Sequence, residues 1–184
     1  MPETYLALLR GVNVGGKNKL PMQGLVELCR EIGCGEVRTY IQSGNAIFQA
    51  DPAVESSLPA MISAGIAARY ALRVPVVVRS AGRMAAIVRA NPFLEAGAPE
   101  EALHVMFLAD QPAAGRIDSL DPDRSPPDRF AVRGSEVYLW LPNGAAETKL
   151  STGYFDARLA TVSTGRNWRT VTALLALMTG GTTS

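Results

Sequence analysis

The segment from residue 10 to residue 19 has the composition of a loop that holds an anion. It contains three glycines, two asparagines and three cationic side chains, and it joins an apolar strand pattern to an amphipathic helix that starts near Pro21. Such a loop exposes backbone N–H groups beside positive charge. The alternative is a flexible connector whose glycines are required by the backbone angles. Strand-to-helix connections are usually about 2–6 residues long, so the greater length here favours a functional loop.

The same segment comes close to the phosphate-binding P-loop motif without matching it. The motif ends in Ser or Thr, whose hydroxyl binds Mg²⁺, whereas Asn18 follows Lys17 in this chain. A P-loop helix also starts at the Gly-Lys step, and Pro21 places the predicted helix start several residues later. A Walker-type nucleoside triphosphatase is therefore excluded, and a glycine-rich loop that binds an anion remains open.

Two other predicted loops carry polar side chains that are able to contact a ligand. A predicted hairpin tip holds Gln42, Ser43 and Asn45, which is also ordinary turn chemistry. Lys149 follows an Asn-Gly turn signal, and a lysine in a loop is usually only a solvated charge. Each segment is therefore a candidate with a plain structural alternative.

The start of the predicted terminal helix, at residues 164–170, is the remaining cationic segment. Free N–H groups and the helix dipole favour an anion at such a position. Arg166 and Arg169 are three residues apart, so they share a helix face if Arg166 is helical. The alternative is an ordinary basic surface, with Trp168 as an anchor in the core.

The chain has a single histidine and two cysteines, which limits its chemistry. His104 alternates out of phase with its apolar strand neighbours, so it is predicted on the less buried sheet face, and a catalytic role is the weaker interpretation. Cys29 and Cys34 form neither a C-x-x-C motif nor a disulfide framework. A His-rich metal site is excluded, no pair of acidic residues has metal-binding spacing, and no cofactor is predicted.

Composition indicates a globular chain without a strong charge. The 184 residues are 47% hydrophobic, with 18 Lys and Arg against 17 Asp and Glu. A net charge near +1 argues against bulk binding of nucleic acid, which depends on many phosphate contacts. No apolar run approaches the roughly 20 residues that span a bilayer, and no signal peptide is visible. We therefore expect no membrane partner and a cytoplasmic location; the sequence leaves the oligomeric state open.

Hydrophobic periodicity and turn residues predict the order strand, helix, strand, strand, helix, strand in the first half. Pro21 suits the first turn of the first helix, Gly33 its end, and Asp51 the cap of the second helix. The predicted strands cover residues 4–10, 37–42, 46–49 and 74–78. This order is that of the ferredoxin-like fold.

The second half repeats the pattern after a connecting helix at residues 81–90. A strand, a weaker helix, two strands of a hairpin and a short helix follow, and a last short strand is predicted near residues 161–163. We therefore predict an α+β fold, with a ferredoxin-like βαββαβ half at residues 1–80 and a second βαββα(β)-type half at residues 81–184. The two halves are expected to pack as one compact unit.

Several of these segments resemble one bacterial family, the domain of unknown function 1697. The resemblance is carried by residues 8–19 and 38–45, and by further matches at 74–79, 91–93, 137–144, 149–151 and 166–171. It spans nearly the whole chain except residues 98–129. The family implies an α+β protein of ferredoxin-like character and brings no established activity, substrate or catalytic residue.

The leading hypothesis is binding, or turnover, of a small ligand that carries phosphate or carboxylate. Polar loops from both halves are expected to meet around one positively biased hollow. The predicted ligand-binding residues are Arg10, Asn13, Gly15, Gly16, Lys17, Gln42, Ser43, Asn45, Lys149, Arg166, Asn167 and Arg169. One alternative is a single-stranded RNA-binding module, which the missing aromatic signature and the net charge disfavour. The other is an interaction protein without a ligand.

Overall fold

The computed structural model describes residues 1–182. The chain divides into two compact units. Within the described residues, unit 1 comprises residues 1–85 and 174–182, and unit 2 comprises residues 86–173. None of the helices in the described part is both long enough and apolar enough to cross a membrane.

Unit 1 contains a four-stranded antiparallel sheet in the order β2-β3-β1-β4. This strand order and the βαββαβ sequence of elements are those of the ferredoxin-like fold, as predicted. The elements are β1 (Glu3–Leu9), α1 (Met22–Glu31), β2 (Gly35–Thr39), β3 (Asn45–Ala50), a 3₁₀ helix (Pro52–Ser57), α2 (Leu58–Tyr70) and β4 (Val76–Ser80).

Unit 2 contains a second antiparallel sheet, in the order β6-β7-β5-β8, which repeats the strand order of the first. The elements from residue 81 onward are α3 (Ala81–Arg89), α4 (Pro92–Glu95), a 3₁₀ helix (Glu100–Ala102), β5 (Leu103–Leu108), α5 (Ala114–Asp118), β6 (Arg129–Arg133), β7 (Glu136–Trp140), α6 (Thr152–Leu159), β8 (Ser163–Asn167) and α7 (Trp168–Met178). The predicted α+β fold with two ferredoxin-like halves is confirmed.

Local signals in the sequence explain where the helices of unit 1 begin and end. Pro21 is the N-cap of α1 with extended backbone, and Gly33, just beyond the C-terminus, has φ +96°. A left-handed residue at this position is the usual helix terminator. Asp51 caps the next helical segment by accepting a hydrogen bond of 2.9 Å from the Ala53 N–H. The first turns of that segment are 3₁₀ rather than α-helical.

Each sheet buries one face beneath its own helices. In unit 1, alternate β1 residues such as Tyr5 and Leu9 pack with Leu25 and Ile62 of α1 and α2. In unit 2, Met106 and Leu139 pack with Phe155 of α6. In β1 the intervening residues Leu6 and Leu8 are buried too, in keeping with the buried strand that the apolar run predicted.

The C-terminal segment differs from the prediction. Arg166 and Asn167 belong to strand β8, and α7 begins only at Trp168. The predicted short strand at residues 161–163 is replaced by this longer strand, which pairs antiparallel with β5. Polar residues Ser163, Thr164 and Arg166 obscure the strand pattern, because β8 is recognisable only through its partner strand. Arg166 and Arg169 therefore do not share a helix face.

Candidate functional site

A cavity of about 330 Å³ lies in unit 2 between the sheet and the connection that leads into α6; we call it the α6 cavity. Its lining combines an apolar surface with several polar side chains and contains no acidic residue. The lining residues are His104, Met106, Leu139, Leu141, Ala145, Thr148, Leu150, Ser151, Gly165, Arg166 and Asn167.

Strand register explains how distant residues reach one wall of the α6 cavity. His104 on β5 pairs with Leu139 on β7 and with Asn167 on β8. Residues that are directly opposite on neighbouring strands point to the same face, so these three side chains form a row across the sheet. Gly165 is opposite Met106 in the next row. A Cβ atom added to Gly165 would lie 3.8 Å from Met106 Cγ, which is ordinary van der Waals contact.

The opposite wall comes from residues 141–151, which are held in place by hydrogen bonds. Ser125 donates to Asp128 Oδ2 at 2.7 Å and accepts from the Lys149 backbone N–H at 3.0 Å. Ser125 and Asp128 are both buried. Ser151 then caps α6 by accepting from the Tyr154 N–H at 3.1 Å. At the other end of the loop, the Leu141 N–H donates to the Ala102 carbonyl at 2.7 Å. The loop is therefore held by hydrogen bonds at both ends.

His104 contributes a neutral imidazole to the α6 cavity. Burial lowers the pKa of His104 below its ordinary value of 6.5, and the Ala102 backbone opposes this shift. Nδ1 is buried without a hydrogen bond of normal geometry to residues 1–182. The side chain is half-buried and lies on the same face of β5 as Met106, which packs beneath α6. At neutral pH the ring therefore offers hydrogen bonding without charge.

Arg166 and Asn167 line the cavity from the edge strand β8 in different ways. Arg166 Nη1 donates to Thr164 Oγ1 and to the Gly165 carbonyl, both at 2.8 Å, and burial lowers the pKa of Arg166 to about 10. The guanidinium therefore remains charged at neutral pH. Asn167 accepts a 2.8 Å hydrogen bond from the Thr170 N–H, which caps α7. The amide Nδ2 of Asn167 donates no hydrogen bond to the part of the chain that the structure describes.

In unit 1, residues 10–21 form a small protruding hairpin. Lys17 N–H donates to the Val14 carbonyl at 3.0 Å, and Gly15 and Gly16 between them have φ +58° and +74°. Two consecutive left-handed residues give a type I′ turn, which explains the Gly-Gly pair. Both glycines and Lys17 are exposed at the tip. Anion binding by this loop stays a prediction.

Asn13 ties this hairpin to the turn between β2 and β3. Its Nδ2 donates to the carbonyls of Leu20 and Gln42, at 2.8 and 2.7 Å, and its Oδ1 accepts from the Leu20 N–H at 2.8 Å. Asn45 is buried and donates to the Tyr40 carbonyl and to Ser43 Oγ. The amide groups of Asn13 and Asn45 therefore shape the loops.

A second cavity of about 300 Å³ in unit 1 lies along β2 and β3 and is lined by Thr4, Glu36, Val37, Arg38, Ile47, Phe48 and Gln49. None of the predicted site residues lines it.

The cysteines are not reactive candidates either. Cys29 and Cys34 are buried, and burial raises the pKa of the Cys29 thiol to about 12. Residues 1–182 hold no group of three or more His, Cys, Asp or Glu side chains that is arranged to bind a metal.

Comparison with known proteins places the chain in a family. The sequence model described as "Protein of unknown function (DUF1697)" matches residues 2–138. The chain belongs to the DUF1697 family. A search of curated proteins found no match. The resemblance carried by the loop at residues 8–19 and the turn at residues 38–45 is thereby confirmed, since both lie inside the matched region.

The fold of this DUF1697 chain also resembles a solved structure. That structure is described as conserved bacterial protein SP0830 from Streptococcus pneumoniae. The two chains are 21% identical, the match covers 97% of this chain and 99% of that one, and the TM-score is 0.74. At this identity the likeness concerns the fold alone.

The predicted site residues of the DUF1697 chain fall into two groups. Residues 10–17 and 42–45 lie in unit 1, where the Asn13–Gln42 hydrogen bond joins the loop to the turn. In unit 2, Arg166 and Asn167 line the α6 cavity, and Lys149 lies between lining residues. Arg169 is exposed on the first turn of α7. A single hollow shared by the two groups stays a prediction.

Sequence reasoning did not select Thr148, Ser151 and Gly165 for the α6 cavity, and it gave His104 only a weak catalytic role. Ser151 carried one usable signal, because a serine just before a helix is a typical cap. Gly165 carried none, since its importance is the space that it leaves beside Met106.

Proposed function

We propose that this DUF1697 chain binds a small molecule with an anionic group in the α6 cavity. The observation that carries the proposal is the composition of the lining. Apolar side chains from β5 and β7 lie beside Asn167 on one wall and face Thr148 and Ser151 on the other, and no carboxylate lines the cavity to repel an anion. A concave apolar pocket with a few convergent polar groups is the usual form of a small-molecule site.

The position of Lys149 supports an anionic ligand. Its neighbours Thr148 and Leu150 both line the cavity, and its own side chain is exposed. Lysine acts as a flexible point charge for phosphate or carboxylate. The amide of Asn167 on the opposite wall is able to orient the same group, since the α7 cap uses only its oxygen among the described residues.

The size of the cavity restricts the ligand. A volume of about 330 Å³ is at the low end of the range, roughly 300–1,000 Å³, that is typical of ligand pockets. A sugar phosphate, a nucleoside monophosphate or a small carboxylic acid fits this scale. Binding is favoured over turnover because His104 is the single lining side chain that could act as a general base, and no acidic partner lines the cavity beside it.

A thermal-shift measurement tests the proposal with a defined panel of inorganic phosphate, nucleoside monophosphates, sugar phosphates and small aromatic carboxylates. A compound present at about one hundred times its Kd should stabilise the fold by about 2.7 kcal/mol, which raises the Tm by roughly 5–10 °C. Gly165→Val should abolish the rise, because its side chain extends into the cavity without a backbone clash.

Gly35→Val is the matched control. Gly35 also lies in a strand with negative φ, and an added Cβ meets Gln49 Cβ only at 4.0 Å. This variant should keep the full thermal shift. The proposal is wrong if no compound stabilises the wild type, or if Gly165→Val responds as strongly as Gly35→Val does.

RNA binding has less support from the structure. Single-stranded RNA modules stack bases on exposed aromatic rings. The exposed large hydrophobic residues within 1–182 are Met1, Val14, Ile41, Val54 and Val162, and none is aromatic. The alternative of an interaction protein without a ligand assigns no role to the α6 cavity. The same thermal-shift panel distinguishes this alternative from ligand binding.

A further inference from the structure

Two neighbouring loops of unit 1 form one exposed surface, which we call the loop pair: residues 13–19 and residues 41–43. The Asn13 side chain joins them by donating to the Gln42 carbonyl at 2.7 Å. Gly44 packs against the base of the hairpin, because a Cβ added there would lie 2.4 Å from Val12 Cγ2. The two loops are therefore fixed against each other and present a defined surface.

The loop pair exposes two large aliphatic side chains. Val14 is 60% exposed and Ile41 is 50% exposed. They are chain neighbours of Asn13 and Gln42, the residues that join the loops. Single exposed aliphatic residues are common, but two on adjacent protruding loops form a local apolar feature.

Ile41 is held in an unfavourable backbone conformation. Its φ is +50°, in the left-handed region. A β-branched residue is a genuine outlier there, whereas asparagine or glycine adopts this conformation readily. Burial in the core does not explain the choice of isoleucine, since half of the side chain is exposed. Strain retained at an exposed position is typical of a functional surface.

The loop pair is also cationic. Residues 13–19 and 41–43 contain Lys17 and Lys19 and no acidic residue, although the whole chain has a net charge of only +1. Lys17 and Lys19 are exposed. The loop pair therefore carries two exposed cations together with its two exposed aliphatic side chains.

We propose that the loop pair docks this protein onto an anionic lipid bilayer, with Val14 and Ile41 entering the interface while Lys17 and Lys19 contact lipid phosphates. A bilayer offers an apolar layer directly beneath an anionic one, and the loop pair exposes both aliphatic and cationic side chains. Nucleic acid offers phosphates but no apolar layer that Val14 and Ile41 could enter. The expectation of no membrane partner was based on a missing spanning segment, which does not bear on surface docking.

Vesicle co-sedimentation of the full chain at low salt tests this proposal independently of the α6 cavity. The probes are vesicles of phosphatidylcholine alone and of equal parts phosphatidylcholine and phosphatidylglycerol. We expect binding to the mixed vesicles only. Lys17→Gln with Lys19→Gln should lower the partition coefficient roughly thirtyfold, given the usual attraction of a basic residue to an anionic surface. Arg30→Gln with Arg73→Gln, which changes two exposed cations elsewhere in unit 1, should leave it within about twofold.

The decisive variant is Ile41→Asn. Asparagine accepts the left-handed backbone, so the variant should raise the Tm while it lowers vesicle binding about tenfold. Val14→Ser should weaken binding similarly, and Val54→Ser at an exposed site outside the loop pair should not. The proposal is overturned if mixed vesicles do not bind the wild type. It is also overturned if Ile41→Asn and Val14→Ser bind normally, or if mixed-sequence oligonucleotides bind where the vesicles do not.

Discussion

The two units share one strand order but cover their sheets differently. Helix α2 of unit 1 has 13 residues, whereas its counterpart α6 of unit 2 has 8. At a rise of 1.5 Å per residue, these helices are about 20 Å and about 12 Å long. The first helices differ in the same way, with 10 residues in α1 and 5 in α5. The two units therefore share a strand order but differ in the length of the helices that cover the sheet.

This difference explains why the cavity that contains predicted site residues lies in unit 2. Beside the short α6, residues 141–151 cover part of the sheet and leave the cavity that His104 and Leu139 line. In unit 1 the long connection is residues 10–21, between β1 and α1, and most of it is exposed. Long connections at different places in the repeated topology thus accompany a cavity in one unit and an exposed loop pair in the other.

Two glycines with the same backbone angle test the comparison most strongly. Gly44 in unit 1 and Gly144 in unit 2 both have φ +81°, but a Cβ at Gly44 would lie 2.4 Å from Val12 and 2.8 Å from Leu9, whereas Gly144 has open space. Gly144→Ala should cost about 1–2 kcal/mol for the left-handed conformation alone. Gly44→Ala adds overpacking and should cost about 2–5 kcal/mol. Urea denaturation measures both, and equal losses would contradict the contrast in packing.

The side chains that fix the two long connections give the next effect. Ser125→Ala leaves the buried Asp128 carboxylate without its 2.7 Å donor and should cost about 1–3 kcal/mol. Asn13→Gly keeps the left-handed backbone at φ +55° but removes three hydrogen bonds that are only partly buried, so we expect about 1–2 kcal/mol.

Hydrogen exchange should show that each loss is local. Ser125→Ala should speed exchange in residues 141–151, and Asn13→Gly should speed exchange in residues 10–21. Faster exchange spread evenly over both units in either variant would show that the loops are not held as the hydrogen bonds indicate.

The smallest expected effect is a pH dependence that belongs to unit 2. The folded-state pKa of His104 is below its ordinary value of 6.5, so the unfolded chain takes up the proton first as the pH falls. The fold should therefore lose stability below about pH 6.5, until the folded-state pKa is also passed. His104→Gln should remove this component. The test measures the denaturation midpoints of the wild type and of the variant from pH 8 to pH 5. The wild-type midpoint minus the variant midpoint should become smaller as the pH falls. A difference that does not change with pH would contradict the burial of the ring.

Most of the fold was predictable because its signals are local. The continuous apolar run of β1, the cap at Asp51 and the terminator at Gly33 each depend on residues a few positions apart. The predicted order of elements followed from them. Strand β8 was misplaced because its residues 163–167 are polar and gain their conformation from pairing with β5. The sequence predicted which types of residue belong to the site but not which of them lie together. His104 shows why, because strand pairing across the sheet places it opposite Asn167, which is 63 positions away in the chain.

The sequence by itself determined the family, the two ferredoxin-like halves and the loops that carry glycine and positive charge. These depend on the identity and spacing of neighbouring residues. Only the tertiary structure decided that Asn13 and Asn45 use their amides to shape loops, that Arg166 lies on a strand, and that a cavity forms beside α6. Those outcomes depend on helix length, strand register and hydrogen bonds between residues far apart in the chain, which a linear pattern does not contain.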